Sequence, residues 1–111
     1  MLTPQSSAAS RIRLPNRRNS FTFEFSCNSL NYRATISYFP GTNELAEIFI
    51  NNCKAGSDSD SAAKDSAVVC SLGLQHGVPV DVIRKALLRD ARGRASSPLS
   101  VAHDLIVEGE R

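Results

Sequence analysis

A chain of 111 residues with 41% hydrophobic and 22% charged residues has the composition of one globular domain, which excludes a long disordered or low-complexity chain. A net charge of +2 is too small to imply a nucleic-acid partner by itself, and 6% aromatics with no Trp leave few platforms for stacking bases. No run approaches the roughly 20 apolar residues that span a bilayer, and the N-terminal arginines lack an apolar run behind them, so a cytoplasmic protein without a secretory signal is expected.

Residues 1–18 read as a disordered basic tail. Met1 to Ser10 is rich in Ser, Ala, Pro and Gln, and Arg11, Arg13, Arg17 and Arg18 crowd the stretch around Pro15. Residues 19–111 read as a single domain. Phe21, Phe23, Phe25 and Cys27 alternate with Thr22, Glu24 and Ser26, which predicts a half-buried strand. Asn28-Ser29-Leu30-Asn31 is turn chemistry. Tyr32, Ala34, Ile36 and Tyr38 then alternate through a second strand, and Pro40 to Asn43 closes the next hairpin. Glu44 to Ile50 is the third strand, with Ala46, Ile48 and Ile50 on one face. Three strands on short turns make an antiparallel meander.

The period then becomes helical. From Ser61 to His76, Ala63, Ala67, Cys70 and Leu74 form an apolar stripe flanked by Val68 and Leu72, and Gly77 with Pro79 stops the helix. Asp81 caps or charges the start of a second helix with Val82, Ile83, Ala86 and Leu87 inward and Arg84, Lys85 and Arg89 outward. After a polar link from Asp90 to Ala95, Ser97 caps a third helix with Pro98 in its first turn and a stripe of Leu99, Ala102, Leu105 and Ile106. The expected fold is α+β: a three-stranded antiparallel sheet followed by three helices packed on one face.

Candidate chemistry is sparse. The cysteines, Cys27, Cys53 and Cys70, are odd in number with no CxxC pair, which reads as reduced thiols. Cys27 and Cys70 fall on apolar faces and are expected to be buried and inert. Cys53, beside Lys54 in a loop, is the most reactive candidate, with no histidine nearby to act as its base. His76 ends a helix, where a cation complements the dipole, and His103 is expected as an exposed or boundary residue. Irregular spacing of these histidines and cysteines disfavours zinc, and Asp58 with Asp60 is weak as a Mg²⁺ pair. Neither a catalytic residue nor a metal site is assigned.

Two features seek anions. Lys54-Ala55-Gly56-Ser57-Asp58-Ser59-Asp60 joins the third strand to the first helix, and Lys54, Gly56 and Ser57 present a cation and free amides to a phosphate-like group. The two aspartates also allow a plain capped turn. Arg84, Lys85, Arg89, Arg92 and Arg94 form the second feature, partly offset by Asp81 and Asp90; it is either a solvated face or a surface for a phosphate-bearing ligand or acidic partner.

FINNCKAGSDSD at Phe49 to Asp60, SLGLQHGVPV at Ser71 to Val80, and Ile83 to Leu87 together resemble the TSCPD domain. That domain is found at the C-terminal end of adenosylcobalamin-dependent ribonucleotide reductases and as small free-standing proteins. The resemblance covers roughly residues 21–107. The naming motif would fall at Ala95-Ser96-Ser97-Pro98-Leu99, where Ser97 stands in place of the cysteine. The resemblance implies an accessory or regulatory domain linked to ribonucleotide reduction and DNA precursor synthesis, binding a nucleotide, a nucleic acid or a partner protein. Its alternative is a subunit of a split ribonucleoside-diphosphate reductase that acts only with another chain. Adenosylcobalamin would then belong to the reductase partner, with no cofactor in this chain.

Overall fold

Alternating apolar side chains from Phe21 onward build β1 (Ser20–Cys27), which pairs with β2 (Leu30–Tyr38). In the computed structural model, residues 10–16, 19–54 and 56–109 are described. The turn between the strands is two residues long. Asn28 and Ser29 both have positive φ, 52° and 68°, the backbone of a tight hairpin whose twist matches its strands. β3 (Leu45–Asn52) adds antiparallel to β2, giving the order β1-β2-β3 with an irregularity between Ser37 and Tyr38. It runs two residues beyond the expected end at Ile50.

The sheet's inner face carries Phe25, Cys27, Tyr32, Ala34, Ile36, Ile48 and Ile50, all buried. Phe25 and Tyr32 are cross-strand partners with rings stacked at 5.6 Å between centroids. Phe21 begins the same alternation yet is 57% exposed, with its ring edge-on to Tyr38. The outer face is polar there: Thr22 bonds Thr35, and Arg33 pairs with Glu24 at 2.8 Å.

α1 (Asp58–Gln75) starts three residues earlier than the apolar pattern suggests, since Ser57 is its N-cap and accepts from the amide of Asp60. Ala63, Ala67, Cys70 and Leu74 face inward as expected. Their small size brings the helix close to β3, and its polar side chains complete that edge strand. Ser71 Oγ accepts from Ile48 N at 2.9 Å and donates to Ile48 O at 2.8 Å; Gln75 Nε2 donates to Ala46 O; Asp60 Oδ1 accepts from Asn52 N. An edge strand otherwise presents unpaired backbone groups to other chains, so these bonds both stabilise β3 and blunt its edge. Gly77, at φ 94°, ends α1: Gly77 N bonds Leu74 O and Val78 N bonds Gly73 O, the paired bonds of a left-handed C-terminal cap.

α2 (Val80–Ala86) is shorter than its pattern implied and has no fully buried residue. Ile83 and Leu87 pack on the core, but Val82 is 57% exposed and Ala86 is also outside, so the expected stripe is half right. Asp81 lies in the first turn rather than at the cap, which Pro79 occupies. α3 (Pro98–Gly109) follows a short antiparallel bridge between Arg89 and Ala95, and the Oγ of Ser97 accepts from Ser100 N. Leu99, Ala102 and Ile106 are buried, whereas Leu105 stays exposed. α3 touches both α1 and β1, so the helices close the apolar face of the sheet.

Of the stretch read as a tail, residues 1–9, 17 and 18 lie outside the described residues. Residues 10–16 are described, and Ile12 N donates to Gln75 O while Arg11 Nε donates to Gln75 Oε1.

Candidate functional site

The turn before α1 is built around an internal carboxylate. Asp60 is 2% exposed; its Oδ1 accepts from Asn52 N at 2.8 Å, its Oδ2 accepts from Gly56 N at 3.2 Å, and Lys64 Nζ lies 3.0 Å from Oδ2. The amide of Asn52, then Lys64, hold this carboxyl below its ordinary range. Gly56 adopts φ 80°, a conformation that favours glycine, and this aims its amide at Asp60. Ser57 Oγ donates to Lys54 O and Lys54 N donates to Asn52 Oδ1. The turn holds Lys54, Gly56 and Ser57 together, and the Gly56 amide, expected to be free for an anion, is engaged by the protein's own Asp60. The side chain of Lys54 is exposed. Asp58 is exposed too, so the two aspartates are not presented together, and among the described residues no group of three His, Cys, Asp or Glu is placed to hold a metal ion.

The second basic feature divides into anchored and outward charges. Asp104 on α3 accepts from Arg84 Nε at 2.9 Å and from both terminal nitrogens of Arg89, at 3.0 and 2.7 Å. Those bonds, Arg89 foremost, hold Asp104 down at about 2. Arg84 and Arg89 therefore fasten α2 and the following link onto α3; their exposures of 34% and 29% are those of half-buried side chains. Arg84 faces inward, contrary to its expected outward position. Asp90 folds the next loop: its Oδ1 accepts from the amides of Arg92 and Arg94, and Arg94 Nε lies 3.2 Å from Oδ2. α2 ends at Ala86, so Arg89, Arg92 and Arg94 sit on this loop and not on a helix face. Lys85 and Arg92 are exposed.

Cys27 and Cys70 are buried and Cys53 is exposed, all three unbridged, as expected. Burial pushes the Cys70 thiol up to about 11. His103, expected at the boundary, is instead fully buried at 0% exposure, because α3 turns it toward α1. Its Nε2 lies 3.4 Å from Cys70 Sγ, and burial, with Arg84 adding to it, pushes its pKa down to about 4. The ring is neutral at pH 7. His76 ends α1 with its side chain exposed.

Sequence reasoning missed His103 and Asp104 as organising residues, and read Asp60 as part of a capped turn without foreseeing its bond to the amide of Asn52. Asp60 had a readable signal, Ser57 followed three residues later by an acid, the pattern of a reciprocal helix cap. Asp104 had none, because its partners come from another element.

Comparison with known proteins places one likeness beside this geometry. Over 71 residues, 64% of this chain, the sequence is 34% identical to a vitamin B12-dependent ribonucleotide reductase of Agrobacterium fabrum strain C58. The chain spans only about 6% of that protein's length. No protein-family profile matches the chain, and no solved structure matches it.

Proposed function

We propose that this chain is an accessory or regulatory domain of ribonucleotide reduction, of the TSCPD kind, that works against a larger reductase polypeptide and is not catalytic alone. The observation that carries the reading is the 34% identity to a reductase over 71 residues, a stretch far too small a part of that protein to include its whole machinery. The chemistry of the described residues supports an accessory role. The buried thiol of Cys70 is raised well above neutral pH, and the buried imidazole of His103 stays uncharged. Adenosylcobalamin belongs to the larger chain in this reading; His103 has its Nε2 against Cys70 and is closed to a corrin-sized group.

An anionic ligand or acidic partner surface meets the outward charges. Lys85 and Arg92 lead, with Lys54 at the α1 turn as a separate contact, while Arg84, Arg89 and Arg94 shape the loop that presents them. Gly56 and Ser57 set the Lys54 turn. Nucleotide binding, a link to DNA precursor synthesis and a cytoplasmic setting follow as parts of this proposal; no helix among the described residues is long and apolar enough to cross a membrane.

The test is purification of the tagged full chain from its native cell, with mass spectrometry of co-purifying proteins and bound nucleotides. A ribonucleotide reductase polypeptide enriched in proportion to the tagged chain is expected. Its absence, with the chain recovered folded, would overturn the proposal.

A further inference from the structure

The two edges of the sheet differ in how the chain covers them. On β3 the outward backbone groups at Ala46, Ile48 and Asn52 are met by Gln75, Ser71 and Asp60. β1 forms the other edge. Its two-residue turn makes Cys27 and Leu30 a hydrogen-bonded pair, so Phe21, Phe23 and Phe25 also exchange bonds with β2. Ser20, Thr22, Glu24 and Ser26 then aim their N–H and C=O groups away from the sheet. The bond from Cys53 N to Asn31 O fixes the same phase, since Asn31, opposite Ser26, faces β3. Among the described residues these outward groups meet no partner; the N-terminal residues Arg11 and Ile12 go instead to Gln75 on α1. Free edges are usually guarded by proline, lysine or a bulge. β1 has none of these: its register with β2 is unbroken, and its one charge, Glu24, is held by Arg33.

The side chains of β1 choose the occupant of this edge. Along the inner face exposure falls from 57% at Phe21, through half-buried Phe23, to 8% at Phe25, so the strand has an uncovered aromatic end and a covered one. We propose that β1 pairs with β1 of a second copy of this chain, antiparallel about a two-fold axis at Phe23, joining the two sheets into one. Ser20 then faces the partner's Ser26, Thr22 faces the partner's Glu24, and Phe21 lies beside the partner's Phe25. The uncovered end of each strand meets the covered end of the other. The two Phe23 rings adjoin at the axis, a non-hydrogen-bonded pair where side chains come closest. Moving the axis to Glu24 sets two like charges opposite each other, and moving it to Thr22 leaves Ser26 beyond the end of the partner strand.

Sedimentation equilibrium of the full chain between about 10 µM and about 1 mM, the range of a weak edge contact, tests this together with amide exchange by NMR at both ends of that range. The mass is expected to rise toward that of a dimer. The amides of Thr22, Glu24 and Ser26 should slow with concentration, and those of Phe23 and Phe25, already bonded to β2, should change less. Phe21→Lys, at an exposed position, should leave circular dichroism unchanged and weaken the dimer at least about tenfold, a loss in line with an aromatic contact at an interface. Thr22→Pro removes an outward N–H and no bond to β2, and should weaken it likewise. Should Thr22→Pro not fold, Phe21→Lys and the alternating exchange pattern decide. A chain monomeric throughout, a dimer protected elsewhere, or one indifferent to Phe21→Lys would overturn the proposal. So would protection of these amides by another polypeptide without self-association.

Discussion

Replacing Asp104 with Asn tests the fastening of α2 and its loop onto α3. The carboxylate receives three hydrogen bonds from Arg84 and Arg89 with its side chain 21% exposed. Its pKa falls from the ordinary 3.8 to about 2. Each tenfold change in proton affinity is worth about 1.4 kcal/mol, and partial exposure trims the result, so the ionised carboxylate contributes about 2 kcal/mol. The sign follows from a lowered folded-state pKa: the contribution is complete above the unfolded value near pH 4 and is lost as pH falls toward 2. Urea unfolding of wild type and Asp104→Asn at pH 7 should differ by about 2 kcal/mol, with the midpoint lower by about 1 M for the slope expected of a chain this size. Repeating the pair near pH 2 should close most of the gap. A penalty under about 0.5 kcal/mol at pH 7, or one equally large at pH 2, would refute the reasoning.

His103 supplies a separate pH dependence: with its pKa at about 4 in the fold and 6.5 as the ordinary value, the folded state is favoured above pH 6.5 and loses about 3 kcal/mol as pH falls through 4. Urea midpoints between pH 7 and 4.5 should therefore drop in the wild type and flatten in a folded His103→Phe variant. Thiol labelling followed by mass spectrometry should modify exposed Cys53 first and Cys70 only on unfolding, and Cys70→Ser should cost on the order of 1 kcal/mol or more. Ser71→Ala leaves Ile48 N and O without their side-chain partner and should cost about 1–3 kcal/mol, with faster exchange of the Ile48 amide read by NMR.

Much of the fold was legible because it rests on local rules. Period-two alternation located the strands, the Ala63–Ala67–Cys70–Leu74 spacing gave the inner stripe of α1, and Gly77 marked its end. What escaped depends on groups distant in sequence. Asp60, readable as part of a capped turn, is also buried and accepts from Asn52 N on β3, eight residues earlier, which the local pattern does not show. Ser71 and Gln75 look like solvent-facing residues in a helical pattern, yet the free edge of β3 draws them in. The second helix was overread for a related reason: Val82 and Ala86 fit an apolar period, but seven residues of helix offer too little length to bury both. The candidate anion residues from Arg84 to Arg94 were named by charge alone. Only the placement of Asp104 separates Arg84 and Arg89, which bind the protein to itself, from Lys85 and Arg92, which face outward; Arg94 pairs with Asp90 yet keeps its side chain 69% exposed. That distinction makes Arg92→Glu a cleaner probe of anion binding than Arg89→Glu, which would also break the Asp104 contact.

The most direct measurement mixes the purified chain with the ribonucleotide reductase polypeptide of the same cell and follows deoxyribonucleotide formation with and without it. The account predicts a stable complex and a reductase that turns over without the chain but whose rate or nucleotide response shifts when it is added, a shift that weakens with Arg92→Glu. An identical rate and nucleotide response, with no complex detected at low salt, would contradict it.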